Sequence, residues 1–329
     1  MDPQQPEPVT QDPPAGWRVL TATERGAAHH AMGLPNQDAV KAFENGPRSA
    51  VVAVADGHGH HRHFRSARGS QLAVAAACQA VPELTATLAG LTGAEPIPAG
   101  RAQAGQAGPQ EIEAAQVARQ IHEVLVPAIT SRWREAVSAD LTVEPITPEE
   151  EPSRSPGDEA VIAYGTTLLV AAVWGDWLLL AQVGDGDIVA VTLDGGALLP
   201  VPGDPLLDGR HTTSLCSPGA ELSFRAAAVN TAITPLLGVL LATDGYANAQ
   251  ATDAWEDVVS GDLAALLRDQ PAGWLAAQLP VWASRCASLD GSADDTTLAL
   301  LLAPKPDGGT TGGAAPGDQV PTQPGTWPQ

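Results

Sequence analysis

Four apolar segments of this chain begin or end at aspartate. The run VVAVA at 51–55 ends at Asp56-Gly57, and LLGVLLAT at 236–243 ends at Asp244-Gly245. Asp294 and Asp295 immediately precede TTLALLLA at 296–303, and Asp38 stands in NQDAV at the start of a further expected strand. Short runs this rich in valine and leucine read as buried strands. A carboxylate at the end of a buried strand must reach water or meet a positive charge. If the strands share one sandwich, their ends can converge on one rim, where carboxylates repel unless protonated or neutralised by cations. Carboxylate oxygen favours Mg²⁺ or Mn²⁺ over zinc or copper. A glycine after Asp56 and after Asp244 leaves room for a sharp turn and close backbone approach.

The other elements set the architecture. Segment 65–81 reads as a helix. Val117, Ile121, Leu125, Ile129, Trp133 and Val137 recur every four residues and predict a helix over 111–137, kinked at Pro127. Segment 262–288 reads as helix restarted at Pro271, and 166–174, 177–183 and 188–193 as successive strands. The GDGD at 184–187 reads as a hairpin turn joining the last two, which assigns Asp185 and Asp187 to a turn. Strands come in runs and do not alternate regularly with helices. The expected fold is therefore α+β, two packed, mainly antiparallel β-sheets flanked by α-helices in an α-β-β-α sandwich. One domain is expected over 16–303, with flexible loops at 90–109 and 142–158 and a flap-like segment at 203–228. The proline-rich ends, 1–15 and 304–329, are expected to be disordered.

Composition excludes several classes. A formal net charge of -21 makes the chain a poor binder of nucleic acid. Three widely spaced cysteines, Cys78, Cys216 and Cys286, argue against a disulfide framework or a cysteine zinc site. No apolar run approaches the length of a membrane helix, and the N-terminus lacks the features of a signal peptide. The expectation is a cytoplasmic protein with no membrane partner. Lysine is confined to Lys41 and Lys305 amid abundant alanine, glycine and proline, a composition typical of a high-GC bacterial genome.

The order of the motifs carries a resemblance. PNQDAV at 35–40, VADGHG at 54–59, YGTTL at 164–168, QVGDGD at 182–187, LATDGYAN at 241–248 and ADDTTLAL at 293–300 span nearly the whole expected domain. In this order they resemble the metal-dependent protein phosphatases of the type 2C family, in particular the bacterial branch with an NQDA first motif. The resemblance implies hydrolysis of phosphoserine and phosphothreonine monoesters in proteins, the products of a serine/threonine kinase, by a water activated between two Mn²⁺ or Mg²⁺ ions. It implies that Asp56, Asp244 and Asp294 hold the first ion and that Asp56 and the Gly57 carbonyl hold the second. Asp38 would hold metal-bound water or a metal directly, and His58 would be the general acid, an imidazole titrating near neutrality. The neighbouring His60, His61 and His63 read as a solvated loop, against the alternative of a zinc tract.

Two departures stand out. Many members have glutamate at Gln37, and many have arginine at Gly33 to clamp the phosphate. His29 or His30, Arg62 and Arg65 are the candidates to replace that arginine. A third cation site is expected to be weak, because Ala163 and Tyr164 precede Gly165 where several relatives have an acid. The alternative reading is a catalytically weak or dead phosphatase-like binding module.

Overall fold

The computed structural model describes residues 16–92, 113–205, 207, 212–252 and 254–305. The proposed disordered ends lie almost wholly outside these residues, as does most of the 90–109 loop.

Antiparallel pairing of the apolar runs builds two five-stranded sheets. One has the order β1 (Arg18–Glu24), β10 (Thr296–Leu302), β9 (Leu236–Ala242), β6 (Asp187–Thr192) and β7 (Ala197–Leu198). The other has the order β2 (Ala39–Glu44), β3 (Ser49–Ala55), β4 (Leu168–Trp174), β5 (Trp177–Val183) and β8 (Arg225–Asn230). Side chains alternate across a strand, so β3 serves two cores. Ala50, Val52 and Val54 face the other sheet and pack with Leu169, Val239 and Leu301. Val51, Ala53 and Ala55 face outward and pack beneath helices. Burial on both faces is why these strands read as unbroken apolar runs.

Helices close both outer faces. α2 (Ser66–Thr92) and α4 (Val126–Val143) cover the second sheet, joined to it through Val74, Leu84, Ile129 and Trp133. The Trp133 Nε1–H donates to the Gly69 carbonyl at 3.0 Å and ties α4 to α2. α6 (Trp255–Asp269) and α7 (Ala272–Cys286) cover the first sheet. Two short helices, α1 (Ala27–Met32) and α5 (Asp244–Ala247), lie beside the strand ends described below. This is the expected α-β-β-α sandwich.

Three details differ from the sequence reading. The predicted helix at 111–137 is α3 (Ala114–Gln120), a wide π-turn at Ile121–Leu125, and then α4. Pro127 falls in the first turn of α4, where its missing N–H costs nothing, and the π-turn absorbs the register change before it. The GDGD segment is not a hairpin: β5 and β6 belong to different sheets, so it is a crossover between layers. Finally, α2 runs on to Thr92 and is long and apolar enough to cross a membrane, contrary to expectation. Its buried side chains pack on β3 and on α4 inside the sandwich.

Candidate active site

Antiparallel pairing dictates where the acids meet. Ala39 pairs with Ala55, so the start of β2 lies beside the end of β3 and Asp38 beside Asp56. Ala242 pairs with Leu298, so the end of β9 lies beside the start of β10 and brings Asp244 near Asp294 and Asp295. Each sheet thus contributes two strand ends, and all of them lie at one rim.

Hydrogen bonds lock the two sheets together there. The Thr243 hydroxyl donates to Asp38 Oδ2 at 2.9 Å and accepts the Thr297 N–H at 2.9 Å. Asp295 accepts the Gly26 N–H on Oδ1 at 2.7 Å and the Gln37 N–H on Oδ2 at 2.6 Å. The GTT motif has a comparable task. Thr167 N–H and the Thr166 hydroxyl both donate to the Asp56 carbonyl at 2.8 Å, while Asp56 N–H donates to the Thr167 hydroxyl at 3.1 Å. Asp56 therefore has a fixed backbone.

The glycines after the two acids are required by close approach. A Cβ on Gly57 would stand 2.7 Å from the Gln37 carbonyl oxygen, and one on Gly245 would stand 2.1 Å from the Asp295 carbonyl oxygen. On the β10 side, Ala293 has φ 62°, a left-handed conformation that costs a non-glycine residue about 1–2 kcal/mol. The turn separates the two following acids: Asp295 is buried, whereas the Asp294 side chain is 51% exposed.

Among the described residues, no arginine or lysine acts on Asp38, Asp56 or Asp244 as a main cause of its titration. Burial, with neighbouring carboxylates, holds Asp38 and Asp56 well above the usual carboxylate range. Asp244 is raised for the same reason, although a hydrogen bond with Asp56 counters part of it. Asp38 Oδ1, Asp244 Oδ1 and Gln37 Oε1 are buried without any hydrogen-bond donor. Orphaned oxygens on crowded carboxylates are what a hard divalent cation satisfies, so the residues present fit such ions.

A cleft of about 720 Å³ opens over this rim. Asp56, Asp185, Asp244 and Asp294 line it together with His58, His60, Arg62 and His63. Asp185 was not anticipated: an Asp-Gly pair signals a turn, and only the crossover between sheets turns this one into the cleft. Its partner Asp187 is pushed up to about 7 by burial, Glu256 and Asp244. Ser214 and Cys216, from the described part of 203–228, also line the cleft. That segment is held by the Ser214 hydroxyl donating to the Thr166 carbonyl at 3.0 Å.

The candidate phosphate ligands separate clearly. Arg62 faces the cleft, donates from Nη2 to Asp158 at 2.8 Å, and has a buried Nε with no acceptor. Arg65 does not line the cleft. Its guanidinium is taken by Glu150 at 2.9 and 2.7 Å, the carbonyls of Glu144 and Pro145, and the Tyr164 hydroxyl. It is a structural clamp on part of the 142–158 segment. His30 is exposed outside the cleft and contacts Arg25. His29 is buried against Asp295. The remaining histidines form no triad of metal ligands: His60, His61 and His63 are absent from the close ligand groups found among the described residues.

His58 departs from its expected titration. Its backbone N–H donates to the Gly165 carbonyl, and its ring packs edge-on to His63, 5.0 Å between centroids. Burial and the neighbouring His63 lower it from 6.5 to about 3. A histidine held below its unfolded value is neutral in the folded state where the unfolded chain takes up a proton. Its contribution to stability is therefore lost as pH falls below about 6.5. His58→Gln is expected to retain about 1 kcal/mol more stability than wild type at pH 5.5 relative to pH 7.5. Urea unfolding of both proteins at the two pH values measures this; equal losses would contradict it.

Comparison with curated protein sequences gives no match. Among solved structures, a bacterial serine phosphatase superposes with a TM-score of 0.50 at 14% identity, over 92% of this chain and 99% of its own. A C. elegans sex-determining protein gives 0.50 at 15%, over 87% of this chain and 65% of its own. An S. agalactiae serine/threonine phosphatase gives 0.48 at 17%, over 87% and 99%. The sequence profile described as Protein phosphatase 2C matches residues 25–280, most of the chain. With acids from four strand ends gathered under one cleft, the chain belongs to the protein phosphatase 2C family, metal-dependent phosphatases of phosphoserine and phosphothreonine in proteins.

Proposed function

We propose that this cleft hydrolyses phosphoserine and phosphothreonine monoesters left by a serine/threonine kinase, with Asp56, Asp244, Asp294 and the Gly57 carbonyl holding two Mn²⁺ or Mg²⁺ ions. The observation that carries this is the set of buried oxygens without a donor on Asp38 and Asp244, beside a cleft lined by His58 and Arg62. When bound, two such ions activate a water for in-line attack and neutralise the phosphate oxygens. Asp38, fixed by Thr243 on Oδ2, would orient such a water through Oδ1. Gln37 offers a neutral oxygen where the NQDA branch departs from glutamate, and a neutral oxygen binds cations less tightly. His58 lines the cleft and would stand on the leaving-group side. A phosphate dianion entering beside its ring favours the protonated form, which gives it the proton to deliver to the departing oxygen. Asp185 adds a carboxylate near Asp244, so any third cation would find its acid here and not before Gly165. Three buried free cysteines suit a reducing compartment and support a cytoplasmic setting.

Arg62 is the residue placed to receive the substrate phosphate, with Asp158 aiming it. Arg62→Ala is expected to raise KM about tenfold with little change in kcat, the scale of one partly solvated charge-assisted contact. Steady-state kinetics on a phosphothreonine peptide tests it; an unchanged KM assigns Arg62 to structure alone. The reading as a whole is tested by hydrolysis of p-nitrophenyl phosphate and the same peptide with Mn²⁺, Mg²⁺ or EDTA. Cation-dependent turnover supports it. A folded protein without turnover at any cation level leaves the alternative, a phosphatase-shaped binding module.

A further inference from the structure

One cluster beside the cleft enters the reading above only through Asp294. α1 has the sequence AAHHAM, and its two histidines point in opposite directions: His30 is exposed, and His29 is 8% exposed. His29 meets the two acids that precede β10. Its Nδ1 lies 2.8 Å from Asp295 Oδ2, and its Nε2 lies 3.9 Å from Asp294 Oδ1. Ligand atoms from all three residues lie within 4.8 Å of one another.

We propose that His29, Asp294 and Asp295 form a divalent-cation site with an imidazole nitrogen in its shell, sharing Asp294 with the catalytic cleft. Three observations support it. His29 Nδ1 is buried and has no hydrogen bond, despite its nearness to Asp295. Both Asp295 oxygens already accept backbone N–H groups, from Gly26 and Gln37, so the imidazole meets the carboxylate off the hydrogen-bonding line. The 2.8 Å separation is that of two adjacent ligands on one cation, since bonds of about 2.1 Å at right angles place ligand atoms about 3 Å apart. Asp295 is also 3% exposed, and among the described residues no arginine or lysine forms an ion pair with it. A carboxylate so buried calls for a positive charge nearby.

The donor set gives the site its own selectivity. One imidazole and two carboxylates suit Mn²⁺, Fe²⁺ or Zn²⁺, whereas Mg²⁺ prefers oxygen throughout. The cleft carboxylates supply oxygen alone. The enzyme would then hold one cation that Mg²⁺ replaces poorly beside others that it replaces well. The competing account is that His29 is a plain ion-pair partner of Asp295 that anchors α1.

The inference rests on the phosphatase reading only in sharing Asp294. The test is pulsed electron paramagnetic resonance of the full chain loaded with Mn²⁺. Nitrogen modulation from a coordinated imidazole is expected in wild type and in His58→Gln, and is expected to vanish in His29→Gln. Equilibrium dialysis should show one fewer Mn²⁺ bound to His29→Gln, and excess Mg²⁺ should leave the wild-type nitrogen signal in place. Wild type labelled with ¹⁵N-histidine provides a check that needs no folded variant, because the modulation must change with the isotope. No nitrogen modulation in wild type, or equal modulation in His29→Gln, overturns the site. Mn²⁺-dependent hydrolysis measured on the same samples judges the phosphatase reading separately: turnover without a nitrogen signal removes the inference and leaves the enzyme. A nitrogen signal without turnover does the reverse.

Discussion

Asp244→Ala is expected to lower kcat on p-nitrophenyl phosphate at least a thousandfold at saturating Mn²⁺, a barrier increase of about 4 kcal/mol. Asp244 opens α5 directly after β9, and one of its oxygens accepts only the Asn248 side-chain amide at 3.2 Å. Apart from the Asp56 carboxyl, the other oxygen has no partner among the described residues. Little of the fold therefore depends on this side chain. Its removal also relieves repulsion among Asp56, Asp185 and Asp294, all of which act on its titration or share its proton. What the alanine variant loses is a cation ligand in the middle of the cluster. Because the ions are proposed to supply both the nucleophile and the neutralisation of phosphate, several kcal/mol should disappear together. Asn248→Ala, which removes only the supporting amide, should cost about tenfold or less. An Asp244→Ala enzyme within tenfold of wild type would sink the proposed centre, provided circular dichroism shows both proteins folded.

Asp244 was legible in the sequence for the same reason it is expendable to the fold. An acid at the end of an apolar strand has no structural reason to be there, and four such acids leave few ways to arrange the strands. Asp38, Asp56 and Asp294 are singled out by the same logic, and antiparallel pairing does bring their strand ends to one rim. The failures have physical causes too. Local turn chemistry at Gly184–Asp187 says that the chain reverses, but not which sheet receives the next strand. The crossover, and with it the place of Asp185 in the cleft, was therefore invisible. Arg65 and Arg62 are three residues apart and look equivalent on paper. Only the return of the 144–150 segment, with Glu150 and two free carbonyls, shows that one is a clamp and the other faces the cleft. Asp294 and Asp295 also look equivalent as a pair. The left-handed turn at Ala293 gives them different surroundings, one half-exposed and one buried against His29.

The second large effect is on stability, and its sign reverses with cation. Without cation, Asp38 and Asp56 are held above the usual carboxylate range by burial and by neighbouring carboxylates. The folded state then holds these protons to higher pH than the unfolded chain does, so these groups destabilise the fold increasingly as pH rises above the ordinary carboxylate range. Asp38→Asn removes one charge from this cluster. The asparagine oxygen still accepts the Thr243 hydroxyl that ties the sheets together. In EDTA at pH 7.5 the variant is therefore expected to be the more stable protein, on the order of 1 kcal/mol. With Mn²⁺ at a hundred times its dissociation constant, wild type should gain about 2.7 kcal/mol from binding, and the variant, with a weakened site, much less. The order of the two unfolding midpoints should invert between EDTA and Mn²⁺. A variant less stable in EDTA, or one that gains as much from Mn²⁺ as wild type, would show that Asp38 serves packing and not the cations. Inversion would mean that the acids at the strand ends oppose folding by themselves and are tolerated because a cation completes them.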